Sequence, residues 1–376
     1  MRFKTDFLLY CSIFLIGTPA LSISYLLGLS LGANDKLGFI FLLFYILLAR
    51  IKISFQFLKI SFLISLLFAF NFVIVPDRND IANQSYGYII ASVLLGLLLE
   101  VSRKVPLTMK RVMCFYVAVN IIAYIIQLLF PLLLNIDTSS FFIQNTIQAS
   151  YTFPTVIPGY IRAVGLFNES SQVASLFALM PLLIPTPFVW ISSGFLVLTT
   201  FSNSGASIYL TLLFFLILLP TLSQLKFKIQ SYTYPLMAFV SFLIFLFSSQ
   251  LAVWFVSIFN RFNIVGNSEQ AINPRLDVFI YYATKVDAVG HGFFMNQPRF
   301  DFYTLYIYGF GFILGSIFVL LVILLHIKYR FKLVDFAVVA IMFTTNASIL
   351  GALVPLTYCI LALHSLSSSN SRFIHD

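Results

Sequence analysis

Six residues in this chain carry side chains suited to anion binding or acid–base work and stand beside long apolar runs: Arg162, Glu169, Arg261, Arg275, His291 and Arg299. Arg162 and Glu169 lie seven residues apart in RAVGLFNESSQVAS, at the mouth of a run that is otherwise apolar. A guanidinium presents a planar fork that can pair bidentately with phosphate oxygens. Four arginines beside apolar runs therefore suit an anionic partner at a membrane interface, and a lipid-linked phosphate or diphosphate fits. Each can equally reach to lipid headgroups or pair with Glu269, Asp277, Asp287 or Asp301. Glu169 follows Asn168, a good N-cap residue. Its carboxylate has two readings. It either faces a helix N-terminus, where such a charge is worth ~0.3–1 kcal/mol, or it acts as a general base or acceptor-binding group. His291 sits in Gly290-His291-Gly292. It is a candidate acid or base because imidazole titrates near neutrality, and a turn histidine with no role is the other reading.

The elements that must position these groups are membrane helices. The chain has 376 residues, of which 60% are hydrophobic and 9% charged, with 44 phenylalanines. Soluble domains carry roughly 25% charged residues, so a polytopic membrane protein is expected. The three cysteines, Cys11, Cys114 and Cys359, fall inside apolar runs and give neither a disulfide framework nor a metal spacing. The first apolar run starts at Asp6 or Phe7, continues for over 20 residues and has no small-residue cleavage site, so it reads as a first span.

A bilayer core takes about 20 apolar residues per helix. That rule gives about twelve spans near 7–31, 37–50, 54–75, 86–102, 112–134, 170–184, 187–202, 205–223, 235–258, 302–327, 333–349 and 351–367. The tightest connections are at Pro185 and Pro187 and at Ser202-Asn203-Ser204-Gly205, which also reads as a break inside one long run. The net charge of +9 takes a topological meaning rather than a nucleic-acid one. Arg2, Lys4, Arg50, Lys52, Lys59, Arg103, Lys104, Lys110, Arg111, Lys226, Lys228, Lys328, Arg330, Lys332 and Arg372 fall on one side of a twelve-span arrangement, which makes 15 of the 22 basic residues. The other side keeps Lys36, Arg78, Arg162, Arg261, Arg275, Lys285 and Arg299. The first side is then cytoplasmic, with both termini inside.

Cytoplasmic connections are short on this plan. Two external loops are long, at about 135–169 and 260–301, and hold most of the external charge. Long loops of this kind are often functional. In the second, Asn273-Pro274 starts a short segment in which Leu276, Phe279, Ile280 and Ala283 recur at helical spacing, as in an amphipathic helix on a membrane surface. His291 is the one histidine of four in an external loop, and His326, His364 and His375 receive no role. The sequence has no P-loop, no GxGxxG opening a helix and no HExxH or Cys/His metal set, so ATP-driven and metal chemistry are not expected. The pairs Gly28 with Gly32 and Gly311 with Gly315 have GxxxG spacing, which reads as close helix packing.

RAVGLFNESSQVAS resembles the R-x-x-G-L-F-x-E-P-S-x-x-A signature of bacterial O-antigen polymerases of the Wzy type, with Ser170 in place of the family's Pro. FSNSGASIYL is similar to that superfamily's pattern of a span that ends in Ser and reopens after small residues. RLDVFIYYATKVDAVGHGFFMNQPRFDFYTLYIYGFGFILG is similar to a stretch that the O-antigen ligases share. Together these cover roughly residues 160–320, and the N-terminal third resembles the family by hydropathy alone.

The resemblance implies a GT-C-like, all-helical membrane domain over residues 1–376 and glycosyl transfer at the periplasmic face of the inner membrane. The donor would be a glycan on undecaprenyl diphosphate and the acceptor another lipid-linked repeat unit. No cofactor and no metal would be needed, and a partner protein that regulates chain length fits the same scheme. Residue by residue, it implies Arg162 and Arg275 at the diphosphate with Arg261 and Arg299 in support. It implies Glu169 as base or acceptor contact, with His291 second. Ligases carry a functional His just before the late Gly-rich span, where this chain has Arg299 and Asp301. A ligase and a flippase for lipid-linked oligosaccharide remain the competing functions.

Overall fold

The computed structural model describes residues 2–18, 33–74, 82–130, 163, 165–167, 170–200, 202–220, 288, 302–329, 331–345 and 353–370. All secondary structure among them is helical, as expected from the composition. Eleven α-helices are described: α1 (Arg2–Gly17), α2 (Ala33–Leu48), α3 (Phe55–Ile74), α4 (Ala82–Lys104), α5 (Pro106–Leu129), α6 (Ser170–Leu183), α7 (Pro187–Thr199), α8 (Asn203–Leu213), α9 (Phe302–Tyr329), α10 (Leu333–Thr345) and α11 (Leu353–Asn370). They fall on eleven of the expected apolar runs, and the run at 235–258 lies outside the described residues. Among the described residues, two helices, Pro106–Leu129 and Phe310–Tyr329, are long and apolar enough to cross a membrane by length and composition.

Local chemistry explains where the helices stop. α1 ends at Gly17, short of the single run expected over 7–31. A glycine followed two positions later by Pro19 is a strong helix terminator, because proline cannot continue the ladder. Thr18 returns its hydroxyl to Phe14 O at 2.7 Å. α5 and α7 both open on proline at the first position, where the missing N–H costs nothing. Thr186 caps α7 by accepting from Val189 N at 3.3 Å. Ser202 caps α8 and accepts from Gly205 N at 3.5 Å, so the small-residue stretch is a true break between two helices. α8 then runs into one π turn, Phe214–Leu218.

The end of α2 carries strain. Arg50 has φ 51°, while Arg50 N donates to Leu47 O and Ile51 N to Ile46 O. This is a Schellman close with arginine at the left-handed position that glycine prefers. Left-handed backbone costs an L-residue about 1–2 kcal/mol. Arg50→Gly is therefore expected to stabilise the purified protein by about 1 kcal/mol, read as a raised unfolding midpoint in detergent. An unchanged or lowered midpoint would show that the Arg50 side chain offsets its backbone strain.

α6 and α11 form the centre. α6 packs on α5, α7, α8 and α11, and α11 also packs on α4. Val173, Ala174, Leu176, Phe177, Ala178 and Leu179 are all fully buried, as are Leu356 and Tyr358 through Ala362. Helices apolar all round belong in such a position. Around them, α1 pairs with α2, α3 with α4, and α9 with α3 and α10. The outer surface is markedly apolar: Phe188 is 78% exposed, Leu107 74%, Phe312 70% and Leu47 70%.

The bundle has two distinguishable ends. At one, Ser54 Oγ donates to Glu100 Oε1 at 2.7 Å and Tyr329 Oη to Leu99 O at 2.7 Å. These contacts gather the basic groups Arg50/Lys52, Arg103/Lys104 and Lys328 at one end. Every lysine and arginine whose side chain is described is exposed. His326 and His364 work here as ties between helices. His326 Nε2 lies 3.0 Å from Tyr358 Oη, and His364 Nδ1 3.2 Å from Asp335 Oδ1. Asp335 also accepts from Lys332 N at 2.8 Å, closing the start of α10.

Candidate functional site

The opposite end holds the described part of RAVGLFNESSQVAS. α5 runs about 1.5 Å per residue from Pro106 at the basic end, so Gln127 sits near its far end. Tyr116, Asn120, Tyr124 and Gln127 fall on one face of α5 and are buried, Asn120 and Gln127 fully. Those two amides meet the turn formed by Gly165, Leu166 and Phe167.

The contact is a three-point clamp. Gln127 Nε2 donates to Gly165 O at 2.7 Å, and Gly165 N donates to Gln127 Oε1 at 2.8 Å. One side-chain amide thus satisfies both backbone groups of one residue, as a neighbouring strand would. Leu166 N donates to Asn120 Oδ1 at 3.2 Å, and Asn120 Nδ2 donates to Tyr116 O at 3.1 Å. Each backbone partner fixes which end of the amide faces it. A buried turn needs such partners, because an unpaired buried N–H or C=O costs about 1–3 kcal/mol.

Side chains lock the same turn. Phe167 is fully buried and stands edge-on to Tyr116 with ring centroids 6.4 Å apart. Tyr116 Oη donates to Gly17 O, which links the turn to the end of α1. Gly165 has φ +61° and no room for a side chain, since a Cβ would lie 3.0 Å from Val173 Cγ2 and 3.3 Å from Asn120 Oδ1. The glycine of the signature is therefore required twice over, by backbone conformation and by contact.

Directly after the turn, α6 opens with a hydroxyl cluster. Ser175 Oγ donates to Ser171 O at 2.8 Å, and Ser204 Oγ to the same carbonyl at 3.3 Å. Gln172 Oε1 is enclosed and has no hydrogen-bond partner among the described residues. The second expected loop touches the bundle at one described residue, Ala288, whose carbonyl accepts from Ile313 N at 3.2 Å. That N–H is free because α9 breaks at Gly311, with φ 74° and ψ 177°. This backbone region is essentially glycine's alone. Gly311 thus ends a helical segment, which corrects its reading as a packing residue.

All six predicted site residues, Arg162, Glu169, Arg261, Arg275, His291 and Arg299, lie outside the described residues, as do Asn168 and the amphipathic segment after Arg275. What is described is what anchors their neighbours: the turn three residues after Arg162 and two before Glu169, and Ala288 three before His291. Asn120 and Gln127 were not singled out from sequence. The available signal was two amides seven residues apart in an otherwise apolar run, a spacing that repeats the one between Arg162 and Glu169. Among the described residues, no group of three His, Cys, Asp or Glu side chains could hold a metal ion. No family model, no curated protein and no solved structure matches the chain.

Proposed function

We propose that the chain is a surface-polysaccharide polymerase of the O-antigen type, spanning the bacterial inner membrane with about twelve helices and both termini inside. The observation that carries this reading is the signature R-x-x-G-L-F-x-E, whose Gly-Leu-Phe is buried and clamped at the end of the bundle away from the basic connections. Three further features support it. The outer surface is apolar, two of the described helices are long and apolar enough to cross a membrane, and the basic helix ends gather on one side as cytoplasmic ends do.

The chemistry follows from the residue types. A hydroxyl of the acceptor's non-reducing-end sugar attacks the anomeric carbon of the donor glycan. A glycosidic C–O bond forms as the bond to the diphosphate oxygen breaks. Undecaprenyl diphosphate leaves with the electron pair. Glu169, or His291 in its place, takes the hydroxyl proton, a role worth about 10²–10⁴-fold. Arg162 and Arg275, with Arg261 and Arg299, meet the charge that develops on the departing diphosphate.

Deletion of the encoding gene tests the reading against its competitors. A polymerase deletion leaves lipid A-core bearing a single repeat unit. Core with no O-unit would assign the chain as a ligase instead, and repeat units trapped inside would assign it as a flippase.

A further inference from the structure

Resting on the glycosyl-transfer reading, we propose that Asn120 and Gln127 are positioning residues: they fix the Gly165 and Leu166 backbone, and through it the segment that carries Arg162 and Glu169. Neither amide is needed to bury its own helix. The face of α5 that holds them also presents Tyr116, Ala123 and Tyr124, and apolar side chains at 120 and 127 would bury as well at no polar cost. Nor is the clamp needed to seat α6, whose residues Val173 to Leu179 are buried by their own packing. The clamp acts on the turn through three hydrogen bonds to its backbone. Gln127 holds Gly165 through the two peptide units that flank it, by the N–H of one and the C=O of the other. Asn120 holds the N–H of that second unit at Leu166, so the unit between Gly165 and Leu166 is fixed at both of its polar groups.

Such precision matters most for a turn whose sequence neighbours on both sides are the proposed reacting groups. Arg162 precedes Gly165 by three residues and Glu169 follows it by four. The leaving group and the attacking hydroxyl must be served together. A displacement of about 1 Å in groups of this kind costs on the order of 100-fold in rate. The clamp should therefore be visible in turnover more than in binding.

The test uses the full chain in nanodiscs with an undecaprenyl-diphosphate-linked repeat unit as substrate. Gln127→Leu is expected to lower kcat about 100-fold with KM changed by less than about threefold. The matched control is Tyr329→Phe, which removes a buried hydrogen bond at the far end of the bundle. It is expected to lower the unfolding midpoint comparably and leave kcat unchanged. Asn120→Asp keeps an acceptor for Leu166 N–H and, as the neutral acid, a donor for Tyr116 O. It is expected to retain turnover that Asn120→Leu loses, and this pair decides the matter if Gln127→Leu does not fold. A kcat for Gln127→Leu equal to that of Tyr329→Phe, or equal losses in both Asn120 variants, overturns the positioning role while leaving polymerisation standing. Absence of turnover in the wild-type chain overturns both.

Discussion

Arg162→Ala and Arg275→Ala, each expressed at wild-type level in a strain lacking the chain, are expected to leave lipid A-core with a single repeat unit and no ladder. The leaving diphosphate gains charge as the glycosidic bond breaks, and a donor aimed at developing charge in a water-poor site is worth about 10²–10³-fold in rate. A polymer is the product of many successive transfers. A loss of that size per transfer therefore removes long chains rather than shortening them slightly. Arg162→Lys is expected to fall between, since it keeps the charge and loses the bidentate fork. Full-length ladders from both alanine variants would dismiss the diphosphate role of these arginines.

Gly165→Ala is expected to be strongly damaging, because backbone conformation and contact oppose the added methyl together. The added Cβ would lie 3.0 Å from Val173 Cγ2 and 3.3 Å from Asn120 Oδ1, at a backbone φ of +61°. The left-handed conformation alone costs about 1–2 kcal/mol for an L-residue. Val173 belongs to the fully buried centre of α6 and cannot withdraw freely, and Asn120 is engaged in the clamp. The turn itself must shift, so ladder formation is expected to fall further than the loss of folded protein explains. Gly165→Ala with Val173→Ala relieves the nearer contact and should recover part of the midpoint in detergent, because residues in contact couple. A Gly165→Ala protein with a wild-type midpoint and a wild-type ladder would show that the turn is not held as described.

The helices were legible in sequence because hydropathy and punctuation agree over most of the chain. Pro187 and Ser202 open α7 and α8 where apolar runs begin, and Pro106 opens α5 ahead of the run that starts at residue 112. The misreadings have a common cause: a hydropathy window sums across the residues that interrupt it. Gly17 and Pro19 sit inside an apolar run and still end α1. Gly311 has the spacing of a packing motif and departs from the helix instead. The turn glycine is legible as part of a signature, but its reason is not, because Gly165 finds Gln127 38 residues away and its neighbour Leu166 finds Asn120 46 residues away. Likewise His326 and His364 find their partners only across helices, 32 and 29 residues on or back. The six residues assigned to chemistry rest on residue type, charge topology and resemblance, and the arginine variants address Arg162 and Arg275 directly.

The clamp also bears on how the chain is made. α5 emerges from the ribosome well before Gly165, so the Gln127 amide must wait for a partner 38 residues downstream. In an apolar surrounding an unpaired amide is costly, and closing a segment of that length costs about 3 kcal/mol in chain entropy. Pairing is therefore a late event, reached only after the intervening stretch has been delivered and α6 has arrived. A chain that stalls before that point leaves the Gln127 amide without the Gly165 backbone and Asn120 Oδ1 without the Leu166 N–H. Gln127 and Asn120 thus report, by being satisfied, that the two halves of the signature's surroundings have met.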